Sequence, residues 1–393
     1  MSRPNDHGSS DKTLVVGGGI IGLSTAWELS RRGHRVTLIE RGDVGRAASW
    51  AAAGILPPNN LATATDPLDR LRAYSHSLIG DWCDRLTEET GIDVGYRRCG
   101  GLYIADTPGE IASMTGMTEY WKDQQIDCHA VDLTTLSRRE PELADWCDRH
   151  PAARAWFTPG EDQIRPPAVL KALHQGCLRN GVTIVRHSEV TAVRGDRDQA
   201  TVRIGEDRII GRNAIVCGGS WSGRLLSGLN LRTSVVPVRG QMLMLRTDEP
   251  VVRSIVNVGQ RYVLCRDDGR TLIGSCEEEV GFDESTTPEM IESLREFAAD
   301  LCPTLSDAKT EKTWSGLRPL TFDGFPMIGK VPGEDHLYVA AGHFRSGIHF
   351  AFGTADLMAD LIEEKPSPID LSDFRVGKQQ YRDDADAAVR PRR

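Results

Sequence analysis

The segment from Lys12 to Glu40 constrains the fold of this chain more than any other part of the sequence. An apolar run leads into three glycines spaced G-x-G-x-x-G, and a helical pattern and a second apolar run follow. This order predicts a strand, a tight turn, a helix and a second strand. In such a unit Gly17 permits the turn, Gly19 lets the backbone approach a pyrophosphate, and Gly22 lets the helix lie close to the strand.

The same unit predicts a dinucleotide site. The start of the helix, at Ile20 and Ile21, carries a partial positive charge that suits a pyrophosphate. Glu40 follows Gly22 by eighteen residues, where a carboxylate accepts hydrogen bonds from a ribose diol and disfavours a 2′-phosphate. We place Arg41 in the same site. A glycine turn without a ligand is the alternative, because glycines occur in many turns.

Length, charge and cysteine usage exclude several classes of protein. At 393 residues the chain has room for two interlocked domains. Its formal net charge of −9 disfavours nucleic acid and anionic membranes as partners. Residues 1–12 lack the apolar stretch of a secretory signal, and residues 14–27 are too short and too mixed to span a bilayer, so we expect no membrane span and a cytoplasmic location. The nine cysteines form no C-x-x-C pair or zinc spacing, so we expect reduced thiols and no metal.

Beyond the first unit, helical and strand patterns alternate without a repeat. We expect helices over residues 68–90, from Pro166 to Arg179, and over 348–362. Short strands are predicted at residues 182–186, 190–194, 200–204, 214–217 and 337–341. Residues 234–274 are rich in β-type residues and turns, which predicts a separate antiparallel sheet. These patterns therefore predict an α/β fold with a second, antiparallel sheet.

Five motifs carry a resemblance to a known family. In addition to the glycine turn they are AASWAAAGIL at 47–56, RGQ at 239–241, QRYVL at 260–264 with GSCEEEVGFD at 274–283, WSGLRP at 314–319 with DGFPMIG at 323–329, and AGHFRSGI at 341–348. In this order they resemble the D-amino-acid oxidase family of flavoenzymes, and within it the glycine oxidases of the thiazole branch of thiamine synthesis. The resemblance extends over residues 13–374.

The resemblance implies a fold and its division into domains. It implies fold class α/β, α+β overall, with a glutathione-reductase-type, Rossmann-like FAD-binding domain and a substrate domain that carries the antiparallel sheet. We expect residues 11–90, 151–232 and 314–374 in the FAD-binding domain, residues 91–150 and 233–313 in the substrate domain, and a polar tail at 375–393.

The cofactor implied by the resemblance is FAD, held non-covalently, because residues 47–56 contain neither Cys nor His as a tether and residues 314–319 contain no Cys. The small side chains of the first of these segments let backbone amides reach the edge of the flavin ring. The expected cofactor contacts are Gly17, Gly19, Ile20, Ile21, Gly22, Glu40, Arg41, Ala48, Ser49, Ala53, Gly54, Ile55, Val190, His343, Phe344, Arg345, Ser346, Gly347 and Ile348.

The reaction implied by the resemblance is oxidation of glycine, sarcosine or a small D-amino acid. Hydride passes from Cα to flavin N5, and the products are glyoxylate or another α-keto acid, ammonia and hydrogen peroxide. Arg318 matches the carboxylate anchor, because a guanidinium fork can bind both carboxylate oxygens. Tyr262 matches the tyrosine whose hydroxyl reaches the same carboxylate.

Arg345 matches the family position between substrate and flavin. Its charge, and the dipole of the helix after Gly347, favour the anionic reduced ring. Each catalytic residue also has a structural alternative: an ion pair for Arg318, a core position for Tyr262 and a surface position for Arg345.

Two positions depart from the family pattern, which commonly has a histidine where this chain has Gln260 and a methionine near Glu277. Glu277 either selects a cationic substrate group or faces solvent, and its place in the acidic run 277–279 favours solvent.

Other functions also stay open: a dehydrogenase that passes electrons to a quinone, and a non-catalytic flavin-binding subunit. The segment 341–348 disfavours a dehydrogenase that uses NAD. The leading hypothesis has dioxygen as partner, a role in thiamine synthesis, and a homo-oligomer, in this family often a tetramer.

Overall fold

The chain forms two large β-sheets, and the computed structural model describes residues 11–229, 231 and 235–378. Within these ranges the strands, in chain order, are β1 (Thr13–Val16), β2 (Val36–Ile39), β3 (Ile55–Leu56), β4 (Arg97–Arg98), β5 (Gly101–Ala105), β6 (His129–Val131), β7 (Arg154–Thr158), β8 (Asp162–Gln163), β9 (Thr183–Val185), β10 (Val190–Gly195), β11 (Ala200–Ile204), β12 (Asp207–Gly211), β13 (Asn213–Val216), β14 (Val235–Arg246), β15 (Ile255–Val258), β16 (Arg261–Cys265), β17 (Arg270–Gly274), β18 (Lys309–Thr321), β19 (Met327–Lys330) and β20 (Leu337–Ala341).

The α-helices lie between these strands and include all four that the sequence predicts. In chain order they are α1 (Ile20–Arg31), α2 (Ala48–Ala51), α3 (Pro67–Thr90), α4 (Pro108–Asp123), α5 (Leu133–Arg139), α6 (Ala144–Arg149), α7 (Pro166–Arg179), α8 (Ser222–Leu226), α9 (Pro288–Leu301) and α10 (Gly347–Ile362). In residues 11–229, 231 and 235–378, no helix is both long and apolar enough to cross a membrane.

The first sheet contains the predicted nucleotide-binding unit. Its six strands run in the order β19-β20-β13-β1-β2-β9 and are parallel except for β19 at one edge. All residues of β1, β2 and β13 are buried, as expected of parallel strands covered on both faces. β1 lies at the centre of the sheet, so the glycine turn that follows it opens at the carboxyl edge.

Helices α1, α3, α7 and α10 cover one face of this sheet and share one apolar core. Three large aromatic side chains join three of these helices. The ring centres of Trp27 and Trp82 are 4.8 Å apart, and Trp82 stacks on Phe352 with ring centres 4.6 Å apart. Truncating an aromatic side chain in such a core costs roughly 3–5 kcal/mol. The other face packs against the small sheet β10-β11-β12.

The second sheet confirms the antiparallel character predicted for residues 234–274 and is larger than predicted. Its eight strands run in the order β18-β14-β17-β16-β15-β5-β7-β6, antiparallel except between β15 and β5. Helices α5, α6 and α9 pack on it. At the end of β18, Leu320 forms an isolated bridge with His343, which joins this sheet to the turn before α10.

Two strands of the eight-stranded sheet lie wholly or partly in segments predicted for the FAD-binding domain. β7 begins after residue 151 and β18 extends past residue 314, yet both pair within the eight-stranded sheet. The beginning of the predicted polar tail also differs from expectation. Val376 is buried, and Lys378 donates a 3.0 Å hydrogen bond from Nζ to Asp323. These residues pack on the fold, and residues 379–393 lie outside the described residues.

Candidate active site

A cavity of about 520 Å³ extends from the carboxyl edge of the first sheet to the second sheet. The residues predicted as cofactor contacts or catalytic residues share this cavity: all of them line it except Gly22. At one end lie the glycine turn and Glu40, and at the other lie side chains of β14, β16 and β18. The structure therefore brings together residues as far apart in the sequence as Gly17 and Ile348.

The glycine turn has the geometry that the motif predicts. Gly17 has φ of 113°, a region that disfavours residues with a side chain. A Cβ on Gly22 would clash with the carbonyl oxygen of Gly17. Gly22 therefore allows the helix to pack on the turn, which explains why it lies behind the cavity and does not line it.

Two helices begin at the cavity wall with few partners for their first N–H groups. α1 starts after Gly19 without a side-chain cap, although Ile20 N donates to Ser49 Oγ at 3.0 Å. α10 starts after Ser346, also uncapped, and has no acidic residue in its first turn. Such helix starts favour negative charge, so both ends of the cavity suit an electron-rich ligand.

Glu40 and Arg41 define the end of the cavity next to the first sheet. Glu40 accepts hydrogen bonds from the backbone N–H of Gly18 at 2.7 Å and of Gly42 at 2.9 Å. Each carboxylate oxygen retains acceptor capacity for a ribose hydroxyl. The Arg41 guanidinium lies 3.5 Å from the ring centre of Trp221, which also lines the cavity.

Arg318 projects from β18 into the opposite end. Its guanidinium donates to the carbonyl of Cys276 at 2.9 Å and to Ser275 Oγ at 2.6 Å, both neutral groups. Within the described residues it makes no ion pair, and three of its five N–H groups have no partner there. Burial lowers the pKa of Arg318. A cation withdrawn from water without a counterion is costly, so the site is suited to an incoming anion.

Gly240, on the neighbouring strand β14, makes room for this guanidinium. It pairs with Gly316 of β18, and a Cβ at Gly240 would clash with the terminal nitrogens of Arg318. The motif RGQ at 239–241 therefore contains a residue whose lack of a side chain shapes the site.

Tyr262 reaches the same region from β16. Its hydroxyl lies 3.1 Å from Met242 Sδ, and burial raises the pKa of the phenol, against the opposing influence of the Arg318 charge. The hydroxyl therefore stays protonated at neutral pH, and it donates to Met242 Sδ, a weak acceptor that a substrate carboxylate can replace.

Arg345, in the turn before α10, lines the cavity but its charge is not free. Its Nε forms an ion pair with Glu277 Oε1, and the two side chains are 48% and 32% exposed. Glu277 is exposed, as the solvent-facing alternative expects, and its carboxylate also pairs with this cavity-lining arginine. Gln260 is exposed and lines the cavity.

Comparison with known proteins decides the family. The profile of the family described as "DAO: FAD dependent oxidoreductase" matches residues 12–361. The chain belongs to this family. It is 35% identical over 369 residues to a glycine oxidase of Pseudomonas aeruginosa, a match covering 93% of this chain and 98% of that protein.

Two further relatives extend the comparison of this DAO-family chain. The crystal structure of glycine oxidase from Geobacillus kaustophilus superposes with a TM-score of 0.87 at 31% identity and covers 93% of this chain and 98% of that one. A bifunctional protein ThiO/ThiG of Synechocystis is 33% identical over 380 residues, covering 92% of this chain and 53% of that protein.

As a member of the DAO family, the chain is an FAD-dependent oxidoreductase, so the predicted family, fold class, enzyme class and cofactor are confirmed. The cavity fits such a cofactor: it is long, bare glycines line its turn, and uncapped helix starts open into it. The roles of individual residues stay predictions.

Some cavity residues were not predicted from the sequence. Trp221, which contacts Arg41, and Arg224 line the cavity, and Ser275, Met242 and Asn257 line it near Arg318 or Tyr262. Ser275 lies within the motif GSCEEEVGFD, so the sequence did contain a signal for its place in the site. For Trp221 and Asn257 the sequence offers no local pattern that separates a cavity residue from a packing residue.

Proposed function

We propose that this DAO-family enzyme oxidises glycine to glyoxylate, ammonia and hydrogen peroxide, and that it also accepts sarcosine and small D-amino acids. The observation that carries the proposal is Arg318: a guanidinium at the far end of the cavity, held by two neutral groups, with three N–H groups unpaired in the described residues. A single carboxylate is the ligand that this arrangement fits best. The similarity to glycine oxidases supports the choice of substrate.

For the cofactor, we propose that FAD lies along the cavity and is not covalently bound. The glycine turn, Glu40 and Arg41 would hold its ADP portion, and residues 48–55 and 343–348 its ring system. Cys217 lines the cavity, and burial raises the pKa of its thiol, which makes it a poor nucleophile. His343 also lines it, but its Nε2 is engaged with Thr354 Oγ1 at 3.1 Å. Both observations support non-covalent binding.

The residues of the chain orient the substrate and set its charge. Arg318 binds the carboxylate through its unpaired N–H groups, and the protonated hydroxyl of Tyr262 donates a further hydrogen bond. Nearby positive charge disfavours an ammonium group, so Arg318 shifts the bound amino acid toward the neutral amine, whereas the charge of Arg345 is matched by Glu277. Bound FAD supplies the two-electron acceptor. No protein nucleophile is needed, because the chain contributes orientation and charge.

For the biological setting, we propose a role in synthesis of the thiazole of thiamine and a cytoplasmic location. The match to a bifunctional ThiO/ThiG protein supports the role, and nine free cysteines support a reducing compartment. Assembly into a tetramer stays a prediction that light scattering on the purified protein can measure.

Product analysis tests this function. FAD-loaded protein is incubated with glycine in air, and glyoxylate, ammonia and peroxide are measured together. We expect equal amounts of all three. Turnover that needs an added quinone and yields no peroxide would show a dehydrogenase. FAD that is bound but never reduced by any of the three substrate classes would show a subunit without this chemistry.

A further inference from the structure

Three arginines, Arg261, Arg318 and Arg345, line the part of the cavity next to Tyr262. Their guanidinium groups have different partners. Arg261 donates to the carbonyl and hydroxyl of Ser293 at 3.0 and 2.9 Å and lies 5.5 Å from the ring of Phe297. Arg318 has only neutral partners among the described residues. Arg345 is paired with Glu277. Among these three arginines, Arg345 is therefore the one whose charge is matched by a carboxylate of the described residues, whereas Arg261 and Arg318 have neutral partners there.

Glu277 is the member of the acidic run 277–279 that reaches a cavity cation. Glu278 is bound to Arg239 at 3.0 Å, an ion pair that holds the segment after β17 against β14. Glu279 is exposed and has no hydrogen bond or ion pair among the described residues. The charges of Arg345 and Glu277 both act on Arg318, with opposite signs. The pair therefore stands within electrostatic reach of the bound substrate.

We propose that Glu277, by neutralising Arg345, makes this enzyme selective for amino acids with one carboxylate and excludes those that carry a second carboxylate on the amine substituent. The inference rests on the proposed function, in which Arg318 holds the first carboxylate. A second carboxylate near Arg345 would meet a cation whose charge is already matched, and it would lie close to the carboxylate of Glu277 itself. Bringing like charges together without a free partner disfavours binding.

Two unreactive ligands measure this selectivity directly. Methoxyacetate and oxydiacetate differ by one carboxylate, and neither carries an amine that the enzyme can oxidise. Dissociation constants come from perturbation of the visible flavin spectrum in the FAD-loaded protein. The quantity compared is the ratio of the oxydiacetate constant to the methoxyacetate constant, because the ratio cancels effects that are common to both ligands.

In Glu277→Gln we expect this ratio to fall about tenfold, since Arg345 gains a free charge; the effect is moderate because the pair is partly exposed. The matched control is Glu279→Gln, which removes an acid from the same run without freeing an arginine, and its ratio should stay at the parent value. The double variant Glu277→Gln/Arg345→Gln should return the ratio toward the parent value. If Glu277→Gln folds poorly, Glu277→Ala makes the same comparison.

Substrates give a second readout. The ratio of kcat/KM for iminodiacetate to that for sarcosine should rise about tenfold in Glu277→Gln, because these two amines also differ by one carboxylate. Unchanged ratios in Glu277→Gln, or a gain that persists in the double variant, would overturn the inference. If glycine reduces the flavin normally in the parent and in Glu277→Gln, that result leaves the proposed function standing. If no variant binds methoxyacetate and glycine leaves the flavin oxidised, the proposed function itself fails, and the selectivity inference with it.

Discussion

Replacing Arg318 by alanine should remove most of the catalytic efficiency and leave the flavin in place. The substitution deletes the cation at the far end of the cavity, where three N–H groups have no partner in the described residues. Hydrogen bonds to a charged group contribute roughly 1.5–3 kcal/mol each. Two of them to one carboxylate give roughly 3–6 kcal/mol, which overlaps the cost of roughly 3–5 kcal/mol for breaking a buried ion pair. We therefore expect kcat/KM for glycine to fall about a hundredfold to several thousandfold.

The assay compares steady-state glycine oxidation with the visible spectrum of the same preparation. The spectrum should barely change, since Arg318 acts on the substrate. Arg318→Lys should recover only part of the loss, because an ammonium lacks the planar two-point contact. Arg246→Ala, at a partly exposed arginine 3.7 Å from Glu311, serves as the matched control. If Arg318→Ala oxidises glycine within about threefold of the parent, Arg318 is structural and Arg345 is the next candidate for the anchor.

Three further substitutions test other parts of the account. Glu40→Ala should weaken FAD binding about tenfold or more, because it deletes charged hydrogen bonds to the ribose. Flavin titration of the apoprotein measures this affinity, and an unchanged value would show that Glu40 does not bind the ribose. Gly240→Ala should impair glycine turnover more than FAD binding, because the added Cβ would displace the Arg318 guanidinium. The control Gly116→Ala, at a glycine with open space around it, should leave turnover unchanged. Equal turnover in the two variants would show that Gly240 does not make room for Arg318. Burial raises the pKa of Glu161 to about 7, so the folded state keeps a proton that the unfolded state releases near pH 4.3, about the usual value. Stability should therefore fall by roughly 3 kcal/mol as pH rises to 7, and urea unfolding of Glu161→Gln should lack that fall; an identical pH dependence would contradict it.

The nucleotide-binding unit was predictable from sequence because its constraints are local. Gly17 and Gly22 are required by the backbone geometry of one turn, and the helices that begin at Pro67 and Pro166 are bounded by proline, glycine or asparagine nearby in the chain. Arg318 could be placed by its motif, since the residues around it are contiguous. In these cases the physical cause lies within a few residues of the effect.

The parts that were not predicted depend on contacts between distant segments. β7 joins the second sheet because it pairs with β5 and β6, and nothing in its five residues indicates that sheet over the first one. The ion pair between Arg345 and Glu277 joins residues 68 positions apart. From sequence alone, the acidic run 277–279 resembles a solvent-exposed segment. Only the tertiary structure shows that Glu277 pairs with Arg345 and Glu278 with Arg239.

Anaerobic titration with glycine tests the central claim most directly. The FAD-loaded protein is freed of oxygen, glycine is added stepwise, and the loss of the oxidised flavin absorption is followed together with the glyoxylate formed. The account predicts complete bleaching, one glyoxylate for each flavin, and return of the yellow colour with peroxide when air is admitted. A flavin that stays oxidised at saturating glycine, in protein fully loaded with FAD, would contradict it.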